Sequence, residues 1–115
     1  MSNSELERSG EGWQGVISGM CPVQGDGTID GHPWYFRARG ARWEMVIAED
    51  PKGDPLACYM ATRGEAAKPG WWMREPWGTG FDAGYMTPDE AWECAVKGFA
   101  AFRAGTMART PSVAK

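Results

Sequence analysis

Between residues 34 and 47, apolar and charged side chains alternate on either side of a Gly40-Ala41 pair. A two-residue turn there, with glycine first as a type II′ turn requires, sets one hairpin register. Arg39 then faces Arg42, Ala38 faces Trp43, Arg37 faces Glu44, Phe36 faces Met45 and Trp34 faces Ile47. Because side chains alternate across a strand, Trp34, Phe36, Ala38, Trp43, Met45 and Ile47 share one face. Tyr35, Arg37, Arg39, Arg42 and Glu44 share the other. A slip of one residue would carry charge onto the apolar face, so the register is strongly specified.

The same reading extends along the chain. Residues 1–12 are polar and read as a disordered tail. A strand is expected over 13–20, around Val16 and Ile17, and a loop over 21–27. Thr28-Ile29 is read as a short strand closed by Asp30-Gly31, a type I′ turn signal. Asp50-Pro51-Lys52-Gly53-Asp54-Pro55 is a dense turn signal. A strand is expected over 56–61, a polar loop over 62–70, a last short strand over 71–73 and a Gly/aromatic loop over 75–86.

The helix begins at Thr87. Thr87 is the N-cap, Pro88 the first helical residue, and Glu90 completes a capping box. Trp92, Ala95, Val96, Phe99 and Phe102 recur at helical spacing, and Gly105 is the stop. Residues 106–115 read as a flexible tail. The fold class is therefore α+β: a single domain over 13–105, an antiparallel β-meander with one C-terminal helix packed on one face.

Composition changes that picture in one respect. Leu6 and Leu56 are the only leucines among 115 residues, but there are seven tryptophans and seven methionines. Each large aromatic buries about 150–250 Å², so the core is expected to be aromatic and methionine-rich. The formal net charge is −3, which weakens a nonspecific DNA-binding reading. No stretch approaches the ~20 apolar residues that span a bilayer, and the first residues lack a signal-peptide core. A cytoplasmic location with reduced thiols is the expectation for Cys21, Cys58 and Cys94.

Candidate chemistry is sparse. His32 is the single histidine, and no nucleophile motif surrounds any cysteine. Cys21, His32, Cys58 and Cys94 have zinc-ligand chemistry without the close pairs that structural zinc sites use. Gly78-Thr79-Gly80 followed by Gly84 misses the dinucleotide spacing by one residue. No catalytic residue, metal or cofactor is therefore assigned, and an enzyme is the less favoured class. The aromatics of the 75–86 loop (Trp77, Phe81 and Tyr85) either fold back over the core or present a contact surface. Arg39 opposite Arg42 is either a solvent-screened pair or a contact for an acidic or phosphate-bearing partner. Tyr35, Arg39 and Arg42 form a Tyr/Arg patch of the kind enriched at interfaces. The partner-binding candidates are thus Tyr35, Arg39, Arg42, Trp77, Phe81 and Tyr85.

Two segments carry a resemblance. Ile29-Asp30-Gly31-His32-Pro33-Trp34-Tyr35-Phe36-Arg37-Ala38-Arg39-Gly40, with Trp43 beyond, resembles a phrase in small orphan proteins of proteobacterial phages and prophages. Asp82-Ala83-Gly84-Tyr85-Met86-Thr87-Pro88-Asp89-Glu90-Ala91, leading to Phe102-Arg103-Ala104-Gly105, resembles their C-terminal part. Anti-CRISPR and other anti-defence proteins occur among such orphans as small single-domain binders. The resemblance implies a non-enzymatic protein that inhibits a host protein or ribonucleoprotein complex in the host cytoplasm. The alternative is a small β-rich module binding nucleic acid or a small ligand.

Overall fold

The structure, a computed structural model, describes residues 5–59 and 68–110. Seven strands form one antiparallel sheet: β1 (Leu6–Gly10), β2 (Trp13–Gly19), β3 (Val23–Ile29), β4 (His32–Arg39), β5 (Arg42–Ala48), β6 (Gly70–Pro76) and β7 (Ala108–Thr110). Their order in the sheet repeats their order in the chain. Helix α1 (Pro55–Tyr59) follows β5, and helix α2 (Pro88–Ala104) precedes β7.

The β4–β5 hairpin adopts the register that its alternation dictates, from Trp34↔Ile47 to Arg39↔Arg42. Gly40 carries the positive φ of 63° that a type II′ turn needs, and Asp30 and Gly31 both have positive φ, as type I′ requires. Helix α2 starts with the expected reciprocal cap. Glu90 N donates to Thr87 Oγ1 at 3.1 Å, and Thr87 N donates to Glu90 Oε1 at 2.8 Å. The helix leaves through Gly105 in the left-handed region.

Helix α2 lies on the face formed by Trp34, Phe36, Ala38, Trp43, Met45 and Ile47, and buries Trp92, Ala95 and Phe99 against it. The core is aromatic: Trp34 meets Phe99 at 5.3 Å and Trp92 at 5.8 Å, both edge to face, and Phe36 stacks on Trp43 at 5.7 Å. Glycines make room for these rings. A Cβ on Gly15 would stand 2.4 Å from Trp34 Cζ2, and one on Gly98 would stand 2.6 Å from Met45 Sδ. The buried side of α2 runs through Cys94, Ala95, Gly98 and Phe99, and Val96 is 44% exposed. Val96 is therefore not part of the buried stripe.

Five other expectations are corrected. The tail assigned to 1–12 contains β1, because Leu6 packs on the core, Trp92 Nε1 donates to Leu6 O at 2.9 Å, and Arg8 pairs with Asp89. The tail assigned to 106–115 contains β7, with Met107 buried and Arg109 lying over the Trp71 ring at 4.6 Å. Residues 111–115 lie outside the described part. The loop assigned to 21–27 is mostly β3, whose Gly25 and Gly27 lie close against β2, Gly25 at the Ile17 side chain and Gly27 at the Gln14-Gly15 backbone.

The strand assigned to 56–61 begins instead as α1. Asp54 caps it, its Oδ1 accepting Leu56 N at 3.0 Å and its carbonyl accepting Ala57 N at 2.9 Å, with Pro55 at the first helical position. Residues 60–61 of that expected strand, and most of the loop after it, lie outside the described residues. Helix α1 sits on the opposite face of the sheet from α2, where Cys58 joins Val46 and Ala48 in a second, small cluster flanked by Tyr35 and Trp72. Strand β6 is longer than the expected 71–73 and is not the last strand of the sheet.

Candidate functional site at the hairpin end

On the α1 face, alternation and register set a row of charged side chains across three strands: Arg37 of β4, Glu44 of β5 and Arg74 of β6. Arg39 and Arg42 form the next pair toward the turn. Glu44 is 5% exposed, and its Oε2 accepts from Arg42 Nε at 2.9 Å and pairs with Arg74 Nε at 3.2 Å. The hairpin register makes Arg37 the expected cross-strand partner of Glu44. Arg37 faces Glu44 in register, but the carboxylate is held by arginines on its other sides. The Nε of Arg37 is buried and has no hydrogen bond among the described residues.

Arg37, Arg39, Gly40, Arg42, Glu44 and Phe81 line a hollow of about 320 Å³. Phe81 reaches it from the 77–86 loop, which is pinned to the hairpin turn. Trp77 N donates to Ala41 O at 2.8 Å, and Ala83 N to Gly40 O at 2.9 Å. Cys21 N donates to Gly84 O at 2.8 Å, drawing in the β2–β3 connection. Asp82 stiffens the tip of the loop by accepting Thr79 N on its Oδ2 at 2.9 Å. The loop closes in a short 3-10 turn, Asp82–Tyr85. On this pinned backbone stand three large apolar side chains open to solvent: Met20 at 63%, Phe81 at 76% and Tyr85 at 61% exposure. A hydrogen bond with the Cys21 thiol raises the pKa of the Tyr85 hydroxyl.

The six predicted contact residues divide accordingly. Arg39, Arg42 and Phe81 meet in the hollow. Tyr85 stands on the same loop, outside the set that lines it. Trp77 folds back and packs on the main core. Tyr35 lies further along the sheet, donating to Gln24 Oε1 at 2.6 Å, and burial chiefly raises its pKa. It borders a different hollow of about 330 Å³, shared with Asp26, Thr28 and Leu56. Sequence reasoning missed Arg74 and Met20. The Trp72/Arg74 alternation after Trp71 was the signal for Arg74; nothing in the local pattern marked Met20.

The remaining candidates do not converge. His32 Nδ1 lies 3.1 Å from Ala48 O and 2.9 Å from Glu49 O, and its ring packs edge-on to Trp71 and Phe102. Cys94 is buried on α2, its thiol pushed up to about 11 mainly by burial, while Cys58 lies across the sheet on α1. Among the described residues no group of three or more His, Cys, Asp or Glu side chains could hold a metal ion. None of the described helices is long and apolar enough to cross a membrane. The chain matches no protein-family model, no curated protein and no solved structure.

Proposed function

We propose that this protein is a non-enzymatic binder of the phage accessory type that its sequence resembles. In this reading it acts in the host cytoplasm by occupying a surface of a host protein complex with its hairpin end. The observation that carries the reading is the grouping of Met20, Phe81 and Tyr85. Of the five large apolar side chains exposed among the described residues, these three stand on connections tied to one another by backbone hydrogen bonds. Aromatics, methionine and arginine are the residue types enriched in interface centres. A rigid loop that already holds them in place loses little entropy on binding.

Capture from host lysate on immobilised full-length protein tests this, with the Phe81→Ser/Tyr85→Ser double variant as comparison. A complex retained by the wild type at a fixed stoichiometry and lost by the folded double variant is the expected result. Equal retention by both proteins overturns the assignment of this end. Turnover of any substrate by substoichiometric protein, abolished in a folded His32→Ala or cysteine variant, overturns the binder reading itself. The second reading, a module for nucleic acid or a small ligand, is favoured by the arginine-lined hollow with Phe81 at its rim.

A further inference from the structure

The reading above leaves the chemistry of the partner open, and the hollow beside Phe81 narrows it. We infer that this hollow receives the carboxylates of an acidic segment of the partner protein, held by Arg37 and Arg39 with an apolar neighbour of that segment against Phe81. The inference rests on the binder reading and goes beyond it in naming what is bound.

Three observations support it. First, arginine predominates among the lining residues, with Glu44 the sole carboxylate, and Glu44 already serves Arg42 and Arg74. The balance of charge in the hollow is positive. Second, Arg37 lines the hollow, and because its Nε is buried only the terminal nitrogens of its guanidinium are within reach of a ligand there. Arg39 is exposed beside it, so two planar forks suited to bidentate carboxylate recognition border one space. Third, the positive charge is local. Alternation places Asp26 on this same face, two residues along β3 from the Gln24 that pairs with Arg37. Asp54 borders the neighbouring hollow, and the whole chain carries −3. A nucleic-acid strand needs a run of cations along its backbone. This face offers one cationic patch beside acidic ones, next to exposed Met20, Phe81 and Tyr85, which suits a short peptide.

Panning a random short-peptide library on the full-length protein tests the inference. The expected result is enrichment of peptides with paired Asp or Glu next to an apolar residue. A fluorescein-labelled selected peptide should bind about tenfold more weakly to Arg39→Gln and to Arg37→Gln, each shown to be folded by circular dichroism. Arg37→Lys, which keeps charge and loses the fork, should fall between, and converting the peptide's carboxylates to amides should abolish binding. No enrichment, enrichment without acidic residues, or equal affinity of wild type and both glutamine variants overturns the inference. So does displacement of the peptide by a single-stranded oligonucleotide whose own binding depends on Arg37 and Arg39, which reassigns the hollow to phosphate. If lysate capture remains sensitive to Phe81 and Tyr85 while the peptide result is negative, the binder reading stands and this inference alone fails.

Discussion

The two faces of the sheet are made from the same strands by the same alternation, yet they are finished in opposite ways. The α2 face is closed: Trp34, Phe36, Trp43 and Met45 are at most 1% exposed, and glycines stand where a ring or a sulfur comes close. Among the described residues, the α1 face is covered at one corner, over Val46 and Ala48, and elsewhere carries arginines, carboxylates and amides. A protein with two leucines closes one core with tryptophan and has little left for a second. The closed face therefore carries the main core, and substitutions on the two faces should behave differently.

The largest effect belongs to the closed face. Trp43→Ala removes a ring stacked on Phe36 and should cost about 3–5 kcal/mol in urea unfolding. A melting temperature within a few degrees of wild type would break the comparison at its root. Next comes Gly98→Ala, whose added methyl meets Met45 Sδ; overpacking of that kind costs about 1–3 kcal/mol. Thermal denaturation reads it directly, and in a Met45→Ala background, itself less stable because Met45 is fully buried, Gly98→Ala should cost less if the collision is the cause. Thr87→Ala removes one half of the reciprocal cap of α2 and should cost about 0.5–2 kcal/mol, with unchanged near-ultraviolet signals from the core tryptophans.

On the open face the expected change is smaller. Arg39→Gln should stay within about 0.5 kcal/mol of wild type by urea unfolding while weakening partner binding. Arg42→Glu is not an equivalent probe, because Arg42 holds the nearly buried Glu44 and a second carboxylate there would oppose it.

A thiol assay sharpens the contrast without any substitution. At mildly alkaline pH the exposed Cys21 should react with an aromatic disulfide reagent, while buried Cys94 and Cys58 should react only after unfolding. The sign for stability follows from linkage. The Cys94 thiol sits at about 11 in the folded protein against an ordinary value of 9.0, so the unfolded chain loses its proton first. Its contribution is fully present below pH 9 and declines as pH rises toward 11.

What was legible in the chain follows the same division. The hairpin register and the cap of α2 were legible because each rests on neighbours in sequence: alternation around Gly40-Ala41 in one case, Thr87 and Glu90 in the other. The first part of strand β3, before Thr28-Ile29, was not, since Gly25 and Gly27 weaken any local strand signal and make sense only against Ile17 and the Gln14-Gly15 backbone of β2. Strand β1 has a single apolar residue facing the core, Leu6, and is held by Trp92, a partner 86 positions away. Asp54-Pro55 reads as a turn and is a helix start, because a cap and a turn use the same residue types. At the site, Arg39 and Arg42 were paired by register alone. That Phe81 joins them while Trp77 turns inward depends on how the loop is tied to Gly40 and Ala41, which periodicity does not reach.

Because order in the sheet repeats order in the chain, the first and last strands occupy opposite edges, each with a single neighbour among the described residues. In β1 the residue farthest from the hairpin turn, Leu6, is also the one nearest the start of the chain. A load applied at that end would peel the ladder open pair by pair, loading its hydrogen bonds in series. The Trp92 hydrogen bond and the Arg8–Asp89 pair sit at the point where such a tear would begin. Seen mechanically, the N-terminal edge is a zipper, and these two long-range contacts are its latch.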